Sequence, residues 1–187
     1  MDKWVEAVHQ LRNYIYVDEN DFLREKCKDE QYLAQLIKEG ERIVWEYDKE
    51  DRPIYLGYLG NLYRIKGDLK VALPYLERYK NYAIECNDEK EAIISLIRFA
   101  EALKYDKQYE ESLAYFEEAL ERGHIVGENH YEHLAWQLMG KCYVEQGNMR
   151  QAEVCFLKAL ILRKEIGEAH LLEASTRALQ FIMNIKK

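Results

Sequence analysis

HLAWQLMGKCYVEQGNMRQAEVCFLKAL, residues 133–160, is the stretch whose spacing decides the fold. Trp136, Met139, Gly140 and Tyr143 recur at i, i+3, i+4 and i+7, which places them on one stripe of a helix. After the turn QGN (146–148), Ala152, Phe156 and Ala159 form a second stripe at i, i+4 and i+7. Two helices joined by so short a turn lie antiparallel.

A shift of 40 residues carries the same pattern back through the chain. Leu96, Phe99, Ala100 and Leu103 repeat the first stripe, with Ser112, Phe116 and Ala119 for the second. One step earlier stand Leu56, Leu59, Gly60 and Tyr63, then Ala72, Leu76 and Tyr79. The turns between stripes read KGD (66–68) and DKQ (106–108). Three helix pairs are expected, over 53–92, 93–132 and 133–168. The small residue at 60, 100 and 140 lets the first helix of each pair approach the second, while large neighbours fill the flanks. Asp88 with Glu91, Asn129 with Glu132 and Asn148 with Gln151 have capping-box spacing. Pro74 conflicts with the scheme, because a proline inside a helix removes a hydrogen bond and costs about 3 kcal/mol. The helix there either starts late or bends.

Outside the pairs, residues 169–187 read as one more amphipathic helix with Gln180 in the small-residue position, suited to a solvent-facing cap. Residues 1–52 are less regular. Helices are expected at about 2–16 and 30–49, and Leu33, Ile37 and Gly40 fit a degenerate second helix. The fold class is all-α, a right-handed helical-repeat solenoid of antiparallel pairs in a single domain.

Composition agrees. Two prolines and nine glycines in 187 residues are too little punctuation for a strand-rich fold. The net charge of −7 speaks against nucleic acid and anionic lipid, both of which need a basic surface. No apolar run is long enough for a membrane helix, and the first residues lack an apolar signal core, so a cytoplasmic protein is expected. Cys27, Cys86, Cys142 and Cys155 show no CxxC spacing and read as buried, reduced thiols.

Trp136, Met139-Gly140, Tyr143, Gly147, Ala152, Phe156 and Ala159 together resemble the tetratricopeptide repeat. That family's unit is about 34 residues, so these units are longer. Long units of this kind are similar to those of bacterial peptide-responsive regulators and kinesin light chains, a flavour that RKEIGEAHLLEA (163–174) shares. The resemblance implies a concave groove lined by the faces of the first helices opposite their packing stripes. It also implies binding of another protein or peptide, without catalysis and without a cofactor.

The groove residues so implied are Tyr58, Asn61 and Arg64 in the first unit, Arg98, Glu101, Lys104 and Tyr105 in the second, and Gln137 and Lys141 in the third. Across that face Arg64, Arg98, Lys104 and Lys141 outnumber Glu101 and Glu145, so an acidic or carboxylate-terminated peptide is the expected ligand. The competing reading is that these cations pair with acids on neighbouring helices. The family's two-carboxylate clamp is matched only in part: Asn61 and Arg98 suit it, but Leu134 and Leu138 stand where cations are needed.

Two further readings remain. In one the chain is a self-assembling module, a homodimer whose groove is empty or filled by its own N-terminal helices. Behind it stands a metal-dependent enzyme, for which His124, His130, Glu132 and His133 give only an HxxH, with no HExxH and no cysteine pair. No glycine-rich phosphate loop and no GxSxG is present, and Glu110-Glu111 and Glu117-Glu118 point about 100° apart on a helix. Neither a metal nor an enzymatic site is expected.

Overall fold

The computed structural model describes residues 3–46, 52–127 and 130–185. Helix α1 (Lys3–Gln10) leads through a short 3-10 turn into strands β1 (Ile15–Asp18) and β2 (Arg24–Cys27). Eight helices follow: α2 (Glu30–Glu46), α3 (Arg52–Lys66), α4 (Leu69–Glu85), α5 (Glu89–Tyr105), α6 (Tyr109–Val126), α7 (Glu132–Glu145), α8 (Met149–Ile166) and α9 (Ala169–Ile185). Consecutive helices pack in pairs, α3 on α4, α5 on α6 and α7 on α8, and the pairs stack in series to form a helical-repeat solenoid. The first helices α3, α5 and α7 lie side by side along the inner face.

A left-handed residue breaks the helix every twenty positions: Gly67, Asn87, Lys107, Gly127, Gly147 and Gly167, with φ between 54° and 88°. Glycine takes this conformation without steric penalty and asparagine tolerates it, as at Asn87, whereas Lys107 adopts it under strain. Asp88 and Asn148 cap the next helices by accepting from the backbone N–H of Glu91 (3.1 Å) and Gln151 (3.2 Å). The expected cap at Asn129 lies outside the described residues.

The small-residue positions are used as close approaches. A Cβ on Gly60 would come within 2.6 Å of Leu76, and one on Gly140 would run into the Phe156 ring. Helix α4 begins at Leu69 and continues through Pro74, so it does not start late. The ring nitrogen there has no proton to give to the carbonyl one turn back.

The N-terminal region differs from a plain pair of helices. Helix α1 stops at Gln10, and residues 15–27 form an antiparallel hairpin with Ile15 opposite Cys27 and Asp18 opposite Arg24. Ile15, Tyr16 and Val17 are β-formers, and the polar run Asp18-Glu19-Asn20-Asp21 closes the turn, with the Asp18 carboxylate accepting from Asn20 N–H at 2.9 Å. Phe22 and Leu23 complete it in left-handed conformations, at φ 51° and 62°. Cysteine placement differs too: Cys142 and Cys155 are buried, whereas Cys27 in β2 is half-buried and Cys86 at the end of α4 is exposed.

Helix α1 is anchored by Trp4. Its indole N–H donates to the Leu36 carbonyl at 2.9 Å, and its ring fills the space that the missing Cβ of Gly40 leaves on α2. None of the helices among the described residues is long and apolar enough to cross a membrane.

Candidate functional site

The nine groove residues implied by the sequence all lie on α3, α5 and α7, but they divide into two groups. Tyr58, Asn61 and Arg98 are half-buried and reach a cleft; Arg64, Glu101, Lys104, Tyr105, Gln137 and Lys141 are buried. The hairpin accounts for much of that burial, since β2 packs against α3 and spreads its side chains over the inner face.

Each hairpin residue has a defined seat. Arg24 donates from Nε (3.1 Å) and Nη2 (2.5 Å) to the two carboxylate oxygens of Glu145, a forked pair that holds a planar guanidinium in one orientation. The Glu25 backbone N–H donates to the Tyr105 hydroxyl at 2.7 Å, and its carboxylate accepts from Arg64 Nη2 at 2.9 Å. Arg64 also donates to Asn61 Oδ1 at 3.0 Å and lies 3.3 Å from Glu101. The guanidinium carbons of Arg24 and Arg64 sit 4.8 and 4.9 Å from the Tyr105 ring centre. Leu23 enters an apolar cluster with Val144, Phe156, Ala178 and Ile182, which joins the hairpin tip to α7, α8 and α9.

The charges under the hairpin perturb one another. Desolvation pushes the Glu25 carboxyl up, but Arg64, Lys141 and Lys104 pull it well below the usual carboxylate range. Lys104, with no exposed surface, makes no hydrogen bond, and its ammonium lies 3.6 Å from Glu145. Desolvation lowers its pKa to about 8, with Glu101 and Glu145 opposing the fall. Removing water strengthens each of these charge interactions and raises the cost of any left unmatched.

The remainder of the inner face is open. A cleft of about 1080 Å³ runs between α1, α3 and α5, bordered by His9, Tyr58, Asn61, Arg98 and Tyr131. The Arg98 guanidinium lies 5.0 Å from the Tyr58 ring centre and 5.8 Å from that of Tyr79. Among the described residues no carboxylate comes within ion-pair distance of it. Gly57 makes this arrangement possible, because a Cβ there would come within 2.7 Å of Tyr79 and 3.0 Å of Arg98 Nη1. The hydroxyl of Tyr58 is hydrogen-bonded to His9 Nε2 at 2.9 Å, which fixes the rim.

At the far end, a smaller cavity of about 340 Å³ lies between the hairpin, α7 and α9. His133, singled out by the HxxH spacing, accepts from Arg163 Nε through Nδ1 at 3.1 Å. Burial, with Arg163 and His130 adding to it, lowers its pKa to about 4, so it is neutral at pH 7. No group of three or more histidine, cysteine or acidic side chains among the described residues is placed to hold a metal ion.

Stacked helix pairs with a lined inner face define a helical-repeat solenoid. Residues 91–165 match the sequence model of the tetratricopeptide repeat. Solved structures share the chain's fold. RapI in its apo form gives a TM-score of 0.70 at 14% identity, covering 98% of this chain and 62% of RapI. Bacillus thuringiensis PlcR, solved with the peptide PapR7 and DNA, gives 0.67 at 18% identity, covering 94% of this chain and 66% of PlcR. BtubC from P. vanneervenii gives 0.57 at 18% identity, covering 97% and 84%. The chain thus spans less than two thirds of RapI and of PlcR. No curated protein matches it in sequence.

The sequence reading missed Arg24 and Glu25, which occupy the inner face, and Arg163 behind it. The turn-forming run at 18–21 after three β-formers was the available signal for the first two.

Proposed function

We propose that the chain is a non-enzymatic peptide-binding scaffold, of the long-unit repeat variety, that takes an acidic or carboxylate-terminated segment of a partner protein in the open cleft. One observation carries this: Arg98 presents a half-buried guanidinium to that cleft, steadied by two tyrosine rings and matched by no carboxylate of the chain among the described residues. A planar guanidinium between aromatic faces is suited to forked recognition of a carboxylate, and the adjacent Asn61 amide has donors for a peptide backbone. The PlcR structure, which holds a peptide, supports a peptide ligand for the shared fold. The net charge of −7 is a poor match for nucleic acid.

The six buried groove residues enter this reading differently. Glu25 already places a carboxylate on Arg64, so a ligand reaching that half must first displace the hairpin. The test is selection from a random peptide library on the wild type and on Arg98→Gln/Asn61→Ala. Enrichment of acidic or free-carboxyl peptides on the wild type alone, at equal melting temperatures, is the expected outcome. Equal enrichment on both, or none, counts against the proposal.

Self-association is the second reading, and it draws on Val154, Leu157 and Ile161, which leave an exposed apolar stripe along the outside of α8. Light scattering over a hundredfold concentration range decides it; a constant monomer mass removes it.

A further inference from the structure

Among the described residues five long cations are buried, and four have contrasting means of support. Arg64 is paired with Glu25 and Glu101, and Lys104 lies near Glu145. Lys80 sits 4.7 and 4.5 Å from the ring centres of Phe99 and Tyr115. Arg163 is 3% exposed and, among the described residues, has no acid within ion-pair distance and no aromatic ring beneath its guanidinium. Its Nη1 donates to Gln137 Oε1 (3.0 Å), Ser175 Oγ (3.0 Å) and the Leu171 carbonyl (3.2 Å), and its Nε donates to neutral His133. All four acceptors are uncharged. The Ser175 hydroxyl in turn donates to Gln137 at 2.8 Å, which locks the set.

The fifth cation is Lys141, 6% exposed, with no hydrogen bond or ion pair among the described residues. It lines the same 340 Å³ cavity as Arg163. The acids around that cavity are engaged or peripheral: Glu25 is bound to Arg64 and shares its charge with Lys141, Glu19 pairs with Arg177 at 3.3 Å, and Glu173 is exposed, so two cations, Lys141 and Arg163, share less than one free carboxylate between them. Leu134, Leu138, Leu171 and Ala174 supply apolar wall. Buried charge without a counter-charge is costly, and burial alone draws the Arg163 pKa down to about 10. Hydrogen bonds that orient a cation without neutralising it leave its charge available to a ligand.

We infer that this cavity is a second binding site, separate from the Arg98 cleft, for a carboxylate with a small apolar body, bound between Lys141 and Arg163. The carboxylate completes the two cations and the body packs on the leucines of α7 and α9. Its source is either a free organic acid or the terminus of a peptide.

The test titrates the full chain at constant ionic strength with hexanoate, hexan-1-ol, Ala-Leu-Leu and Ala-Leu-Leu amide, reading leucine methyl shifts by NMR. Saturable shifts of Leu134, Leu138 and Leu171 with hexanoate identify a free acid. Saturation by Ala-Leu-Leu but not hexanoate, and not by the amide, identifies a chain terminus. Lys141→Met weakens either by about tenfold or more, the loss of one charge-assisted contact. Arg163→Gln serves as the second variant, with spectral dispersion reporting its fold. No saturation by either acid overturns the inference, as does equal binding of hexanol or the amide, or full affinity in a folded Lys141→Met.

Discussion

The two halves of the inner face contain the same kinds of side chain in opposite states. Around Arg98 a guanidinium and an amide meet water and aromatic edges. Around Arg64 and Lys104 the same chemistry is covered by Arg24 and Glu25. Helix periodicity is alike in both, so residue type on the first helices does not determine accessibility. A segment some forty residues earlier in the chain does.

The difference is sharpest at Glu145, 1% exposed, whose two oxygens both accept from Arg24. Arg24→Met leaves that carboxylate with Lys104 and Tyr109 only, and is expected to cost about 3 kcal/mol in urea denaturation. Acid separates the halves next. The Glu25 carboxyl is lowered from its ordinary value of 4.5 to about 2 in the folded protein. Its contribution is complete above pH 4.5 and disappears as the pH falls toward 2. Since about a third of the side chain is exposed (32%), the loss is about 1–2 kcal/mol. Hydrogen exchange of residues 15–27 should accelerate over that interval ahead of α5; synchronous exchange would remove the distinction.

Smaller effects complete the contrast. Lys107→Gly relieves the strained left-handed turn between α5 and α6 and is expected to stabilise by about 0.5–1 kcal/mol, raising the melting temperature. Arg98→Ala, in the open half, should shift stability by no more than about 0.5 kcal/mol while removing acidic-peptide enrichment. A large loss of stability there would mean that Arg98 is a structural residue.

The repeats were legible because their signal is local and triply stated: Gly60, Ala100 and Gly140 with their stripe partners specify helix, turn and packing within each unit. The hairpin was not. Val8, Leu11 and Ile15 fall at i, i+3 and i+7, so the segment imitates a helical stripe up to the point where the β-formers begin. A two-stranded ribbon of four-residue strands is marginal by itself. Its conformation depends on Leu23, Arg24 and Glu25 finding seats on α3, α5, α7 and α8, information distributed over more than a hundred residues. For the same reason the sequence could place Arg64 and Lys141 on the inner face but not reveal that they are covered.

The hairpin also alters how this solenoid comes apart. Arrays of stacked repeats fray from their ends because each unit touches only its neighbours. Here Glu19 reaches Arg177, 158 positions away, and Leu23 lies among residues of α7, α8 and α9. That clasp makes the last pair's melting depend on the first thirty residues, so the protein unfolds more nearly as a unit than its linear architecture implies.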